Sequence, residues 1–267
     1  MDDLLLVVCG GGAYNVVKES MDLLRSELLV LTKEESAVPL DDLPSIKERM
    51  DGKRIIIPFC TLGGEIGTEL VSDVIRCARE CGCKVVSILG MPMEIEADRR
   101  EKASKSLPEL VSMSDVSMVY DMTRTMDVYD DLRNRKLFDF MKMTNRIIMN
   151  SIGSIMEVMD GPFFTVFPER MYAFSSTNDV LPENAIDKAW GTMLFDNETE
   201  KGSCIIMVGA GTASAEIDGI RDHFVREYGI MPEVLRRSDT EDSKVIVFKA
   251  VNSLIIPSYP SAKASRT

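Results

Sequence analysis

The chain alternates between short, wholly apolar runs and segments in which apolar residues recur at helical spacing. The run Leu4–Cys9 is continuous, which is typical of a strand buried in a parallel sheet. Three glycines follow it, and Val17, Met21, Leu24 and Leu28 then recur at helical spacing. The pattern predicts a strand, a glycine turn and a helix.

The same alternation continues to residue 120. Apolar runs predict further strands at 27–32, 54–59, 84–89 and 116–120. A short helix is predicted around 46–50 and a longer one over 70–81, whereas 94–105 is a strongly charged segment.

The second half begins with one long predicted helix, 126–159, which Gly161 and Pro162 end. Strands at 171–175 and 204–208, helices at 183–190 and 215–228, and a hairpin pairing 234–237 with 244–251 are predicted after it. We therefore expect an α/β protein with a mainly parallel sheet. Its expected parts are a larger first domain (1–159) that includes the long helix, a smaller α/β domain (160–257) and a disordered polar tail (258–267).

Composition narrows the possible partners. The net charge of −12 argues against a nucleic-acid partner, because phosphate backbones are bound by clustered Lys and Arg. No segment is long and apolar enough to predict a membrane span, and the acidic N-terminus lacks the positive charge of a secretory signal. We expect a soluble, cytoplasmic protein.

Cysteine and histidine offer little chemistry. The six cysteines lack the further ligands of a metal site, so we predict no metal and interpret them as small buried side chains in a reducing compartment. The single histidine, His223, lies in a charged helical segment, which argues against a histidine-based catalytic triad.

The turn Gly10, Gly11 and Gly12 is the first candidate site. Backbone N–H groups at a helix N-terminus bind phosphate when no side chain blocks the approach, although the same turn can be purely structural. A dinucleotide fingerprint would need a glycine where Tyr14 or Asn15 stands. With Glu34 as a ribose-binding acid, a Rossmann-like small-molecule enzyme stays a second alternative.

Several segments, in their order along the chain, resemble the FtsZ/tubulin superfamily. VVCGGGAYNVV resembles its first phosphate loop, LGGEIGTE (62–69) its glycine signature, and residues 92–122 its ribose-contacting stretch. The predicted helix 126–159 resembles the family's central helix, and residues 185–196 and 201–211 resemble parts of its second domain. The resemblance covers about residues 3–257, and the chain resembles a shortened member.

This resemblance implies a site for GTP or GDP. Matched to the family's motifs, Glu96 and Arg100 would hold the ribose and Phe140 would stack on the base. The family's base-recognising acid falls on Thr144, and Asn145 beside it would bind the guanine edge less strongly than a carboxylate. The complete set that the resemblance implies is Gly10, Gly11, Gly12, Asn15, Gly63, Gly64, Gly67, Thr68, Glu96, Arg100, Phe140 and Asn145.

The sequence also departs from the family. Glu65 replaces the third signature glycine, and the segment between Thr32 and Arg54 is too short for the loop that senses the γ-phosphate. The loop 161–170 carries Phe163, Phe164 and Phe167, with Glu169 as the one catalytic candidate.

These departures determine the predicted function. We expect an FtsZ/tubulin-like protein of cytoskeletal or cell-division type that forms homo-oligomers or contacts a filament partner, with weak or absent GTP hydrolysis. An active cell-division GTPase is the first alternative.

Overall fold

Strands and helices alternate along the described part of the chain. The computed structural model describes residues 3–18, 21, 24, 27–33, 39–128, 136–160, 167–168, 170–178, 182–195, 203–237 and 244–251. Its elements are, in chain order, β1 (Leu4–Cys9), α1 (Gly10–Val17), β2 (Glu27–Leu31), α2 (Leu43–Met50), β3 (Ile55–Thr61), α3 (Glu65–Glu80), β4 (Lys84–Met91), α4 (Ala97–Met113), β5 (Val116–Asp121), α5 (Met122–Val128), α6 (Leu137–Asp160), β6 (Met171–Asn178), α7 (Pro182–Gly191), β7 (Cys204–Val208), α8 (Ser214–Tyr228), β8 (Glu233–Arg236) and β9 (Lys244–Ala250).

The described strands form one mostly parallel sheet in the order β2-β1-β3-β4-β5-β6-β9-β7-β8. Strands β1 to β6 run parallel, as does the pair β7 and β8, and β9 is antiparallel to both of its neighbours. The carboxyl ends of β1 and β3 lie side by side, since Cys9 is in register with Cys60. The predicted α/β class with a mainly parallel sheet is confirmed.

The two faces of the sheet are covered by different helices. Successive residues of β1 point to opposite faces, so Leu5 and Val7 join one apolar cluster whereas Leu6 and Val8 join the other. Helices α2, α3, α4, α7 and α8 pack on the first face, and α1 and α6 pack on the second. Because every residue of β1 is buried, its sequence shows no polar alternation.

The predicted hairpin between 234–237 and 244–251 is wrong. Strand β8 pairs in parallel with β7, and β7 lies between β8 and β9. The burial of the two strands gives the reason: β9 is buried along most of its length and needs a neighbour on each side, whereas β8 is partly exposed and forms the sheet edge. The connecting turn, 238–243, lies outside the described residues.

The helices differ from the prediction at two places. Helix α1 ends at Val17, and Leu28 belongs to β2 instead of continuing the helix. The charged segment after residue 94 forms α4. In the predicted long helix, α6 covers 137–160 and α5 precedes it, but residues 129–135 lie outside the described part, so a continuous helix over 126–159 stays a prediction. The division into domains at residue 160 stays a prediction too.

Candidate functional site

The turn between β1 and α1 leaves the start of a helix uncovered. Gly10 has a φ of +85°, and a Cβ atom there would lie 2.8 Å from the Cα of Gly67. Gly11 and Gly12 are exposed, and α1 begins with neither an acidic side chain in its first turn nor a side-chain cap. The first-turn N–H groups and the positive end of the helix dipole are therefore open to an anion.

A second glycine turn brings α3 to the same place. Gly67, in the first turn of α3, packs against α1, because a Cβ there would lie 3.1 Å from the carbonyl oxygen of Cys9. Between the two helix starts is a cavity of about 200 Å³. Its lining consists of Cys9, Gly10, Gly11, Gly12, Thr61, Gly64, Glu65, Ile66, Gly67 and Arg99. We call it the glycine cavity.

A larger cavity of about 360 Å³ adjoins the first and extends toward α6. Its lining consists of Gly12, Asn15, Val16, Thr61, Pro92, Met93, Ile95, Glu96, Arg99, Met122, Met141 and Asn145. We call it the apolar cavity. Gly12, Thr61 and Arg99 belong to both linings, so the two cavities form one groove with a polar end and a mainly apolar end.

Thr61 stands at the junction of the two cavities. Thr61 is 8% exposed, and its Oγ1 makes no hydrogen bond with any residue that the structure describes. A Cβ atom at Gly12 would lie 2.1 Å from this oxygen. Because an unsatisfied buried hydroxyl is costly, an oxygen of this kind on a cavity wall points to a ligand that completes it. Thr61 was not among the residues predicted from the sequence.

The two neighbouring arginines have opposite environments. The predicted ribose ligand Arg100 is buried, and it donates to Asp121 (2.5 and 3.0 Å) and to the carbonyl oxygen of Pro92 (2.6 Å). It lines neither cavity. Arg99 lines both and forms an ion pair with Glu96. Of the two predicted ribose ligands, Glu96 therefore lines the groove and Arg100 does not.

The helix α6 contributes two side chains to the apolar cavity. Asn145 lines it, and its Nδ2 donates to the carbonyl oxygen of Asn15, 3.1 Å away. Phe140 does not line the cavity; it is 4% exposed and packs in the core behind α6. Met141, the next residue, lines the cavity in its place.

The remaining predicted residues lie in several different places. Asn15, Gly64 and Gly67 line the groove with the first three glycines. Gly63 lies behind it, with φ of +79°, where a Cβ would lie 2.1 Å from the backbone oxygen of Arg99. Thr68 lines a separate surface cavity with Glu69, Ser72, Asp73, Arg76 and Glu109. Glu34 and Glu169 lie outside the described residues.

The cysteines and the histidine offer no evidence of a metal site or of a catalytic group in the groove. Five of the six cysteines are buried, as predicted, and burial raises the pKa of Cys60 to about 12. No cluster of three or more possible metal ligands occurs in the described part of the chain. His223 lines neither cavity; its Nε2 hydrogen bonds with Asp187 at 2.8 Å, and it is buried, which the sequence did not predict.

None of the helices in the described ranges is long and apolar enough to span a membrane.

A mostly parallel sheet covered by helices on both faces, with a groove at the carboxyl ends of β1 and β3, defines an open α/β protein. Solved structures of this fold include two of FtsZ from M. jannaschii. A mutant FtsZ superposes with a TM-score of 0.69 at 15% identity, covering 93% of this chain and 90% of the other. An FtsZ dimer solved empty gives a TM-score of 0.70 at 14% identity, covering 94% and 89%.

Sequence similarity points to the same proteins. The chain is 28% identical over 118 residues to cell division protein FtsZ 1 of Pyrococcus horikoshii, a match that covers 44% of this chain and 31% of the relative. It is 29% identical over 118 residues to FtsZ 2 of Halobacterium salinarum, covering 44% and 29%. The match thus spans about a third of the length of these relatives. No model of a protein family matches the chain. Fold and sequence thus both show that the chain is similar to FtsZ proteins.

Proposed function

We propose that the groove binds a guanine nucleotide and that the protein self-associates or contacts a filament partner in a cytoskeletal process of cell-division type, with weak or absent GTP hydrolysis. The observation that carries the proposal is the buried Thr61 hydroxyl, which has no hydrogen-bond partner in the described part of the chain and lines both cavities. A phosphate oxygen at the junction would accept a hydrogen bond from the Thr61 hydroxyl.

The polar end of the groove suits phosphate. Helix α1 presents first-turn N–H groups and carries no acidic side chain in its own first turn, and Arg99 lies on the wall. Arginine donates in a fork that matches phosphate oxygens, and its present partner, Glu96, is partly exposed, so that pair is weak and can rearrange.

The apolar end suits a base. Pro92, Met93 and Met141 supply apolar surface, and Asn145 supplies the only side-chain amide on α6 in the described lining. With Nδ2 engaged by Asn15, the Oδ1 of Asn145 is left to accept from a base edge. The guanine identity of the base rests on the superfamily resemblance.

The carboxylates in the groove lining are the observation that supports weak or absent GTP hydrolysis. A general base must lie within hydrogen-bond reach of the attacking water. The described lining of the groove contains two carboxylates, Glu65 and Glu96, and Glu96 is already paired with Arg99. Glu65 is exposed at the first residue of α3, and no described ion pair holds its carboxylate in one position.

Self-association is supported by apolar side chains near the groove. Ile95 lines the apolar cavity and is 85% exposed, and Phe138, on the helix that carries Met141 and Asn145, is 74% exposed. Large exposed apolar side chains around a binding groove suit a second protein surface that covers it. The FtsZ of M. jannaschii, which shares this fold, has been solved as a dimer.

Removal of the Thr61 hydroxyl tests the proposal most directly. Thr61→Val keeps the shape of the side chain but cannot donate to phosphate, so GDP affinity measured by calorimetry should fall about fivefold to tenfold. Thr144→Val is the matched control, since Thr144 Oγ1 is also buried without a described partner but lines neither cavity. The control should bind GDP as wild type does.

Nucleotide extraction and phosphate release complete the test. Freshly purified protein, denatured and analysed by ion-exchange chromatography, should release guanine nucleotide. Phosphate release from GTP should stay at the buffer rate over a range of protein concentrations. Absence of bound nucleotide together with no GDP binding by calorimetry would overturn the binding proposal, whereas a rate that climbs with protein concentration would favour an active GTPase.

A further inference from the structure

The two helix starts at the glycine cavity differ in charge. Helix α1 begins with glycines and has no acid in its first turn, whereas α3 begins at Glu65, whose exposed side chain lines the cavity. A carboxylate at the first helical position neutralises the positive end of its own helix. Only α1 therefore offers an uncompensated helix terminus to an anion.

The charges around the groove reinforce this difference. Its described lining contains one cation, Arg99, and two carboxylates, Glu65 and Glu96. Arg99 already balances Glu96, and Glu65 forms no ion pair with any described residue. The end of the glycine cavity at α3 is consequently negative, while the junction at Thr61 and the start of α1 can accept an anion.

We infer that the groove selects nucleoside diphosphates over triphosphates, with Glu65 closing the α3 end of the glycine cavity to a third phosphate. The inference rests on the proposed nucleotide binding. The unsatisfied Thr61 hydroxyl marks where a ligand binds, independently of the helix termini, and it lies on the wall shared with the apolar cavity. A phosphate chain that begins there adjoins the start of α1, because a Cβ atom at Gly12 would lie 2.1 Å from Thr61 Oγ1. In this proposal the third phosphate lies toward Glu65, at the start of α3 in the same cavity.

The selection has a simple electrostatic origin. A triphosphate adds about one negative charge to a diphosphate, and that charge would lie in the same small cavity as the Glu65 carboxylate. Like charges a few ångströms apart in a partly solvated site repel strongly enough for a preference of about tenfold or more. Magnesium bound to the terminal phosphates would reduce this repulsion, so the preference should be larger in EDTA than with Mg²⁺.

Calorimetric titration of GMP, GDP and GTP tests the inference, using wild type, Glu65→Gln and Glu69→Gln with and without Mg²⁺. Glu69 lies one turn further along α3, is also exposed and lines the separate surface cavity, so its variant removes a similar charge without touching the groove. Wild type and Glu69→Gln should bind GDP at least about tenfold more tightly than GTP, and Glu65→Gln should reduce that ratio to about threefold or less.

The outcomes separate the two proposals. Tight GDP binding with equal or tighter GTP binding in wild type would overturn the selection and leave nucleotide binding intact. An unchanged ratio in Glu65→Gln would also overturn it, because another group would then be discriminating. Failure of wild type to bind any of the three nucleotides would overturn both, and circular dichroism of each variant excludes misfolding as the cause.

Discussion

The guanidinium of Arg100 is paired with the fully buried carboxylate of Asp121, with 2.5 Å between Nη2 and Oδ2. The same guanidinium donates to the carbonyl oxygen of Pro92. This pair ties the first turn of α4 to the end of β5. The neighbouring Arg99, rotated by one residue around the helix, lines the groove instead.

Loss of the buried pair should destabilise the fold. Arg100→Met leaves the Asp121 charge buried without its partner, so the free energy of unfolding should fall by about 3–5 kcal/mol, measured by urea denaturation. The matched variant Arg99→Met removes only a partly exposed ion pair and should change it by about 0.5 kcal/mol or less. Equal losses in the two variants would show that the Arg100 pair does not hold α4 in place.

Ligand binding should respond to these arginines in the opposite way. Arg99→Met removes the one cation in the described lining and should weaken GDP binding about tenfold or more by calorimetry. Arg99→Lys keeps the charge but lacks the bidentate fork of arginine, so its affinity for GDP should lie between those of wild type and Arg99→Met. Wild-type affinity in Arg99→Met would remove this residue from the site.

Gly12 should be intolerant of any side chain. A methyl group there would meet the Thr61 Oγ1 at 2.1 Å, where both cavities join, so Gly12→Ala should abolish GDP binding in a calorimetric titration. Gly153→Ala on α6 is the control, because no atom lies within 4 Å of its added methyl group. It should bind normally and gain about 0.5–1 kcal/mol in stability. Normal GDP binding by Gly12→Ala would show that the ligand does not reach this turn.

Asn145 should set the base preference. Its single free acceptor can accept from the amino group of either purine, so we expect GDP and ADP to bind within about tenfold of each other. Asn145→Asp supplies a carboxylate for the two neighbouring donors of guanine and should raise the GDP/ADP affinity ratio about tenfold.

The control for this prediction is Asn150→Asp, an exposed position on the same helix that lines neither cavity. It adds the same charge and should leave the ratio unchanged. If Asn145→Asp did not alter the ratio, the base would have to lie elsewhere in the groove.

The sequence by itself determined the regular elements whose residues are buried or recur at a regular spacing. The run Leu4–Cys9 was predicted with its observed bounds because a strand buried on both faces leaves no position for a polar residue. The three glycines were predicted as a possible phosphate turn because the strand before them and the helix after them are both local patterns. The resemblance to the FtsZ/tubulin superfamily, too, was visible in the order of these motifs.

Only the tertiary structure decided which residues form the groove. Arg99 and Arg100 are adjacent and chemically identical, and the rotation of α4 against β5 determines that one pairs with Asp121 while the other faces the cavity. Phe140 and Met141 on α6 are also neighbours in the sequence, and the rotation of α6 determines that Phe140 is buried whereas Met141 lines the cavity. The pairing of β8 and β9 with β7 depended on which strand could cover each edge, a competition between distant segments that local periodicity does not contain. Thr61 became a candidate only when its neighbours were known, because an unsatisfied hydroxyl is a property of its surroundings.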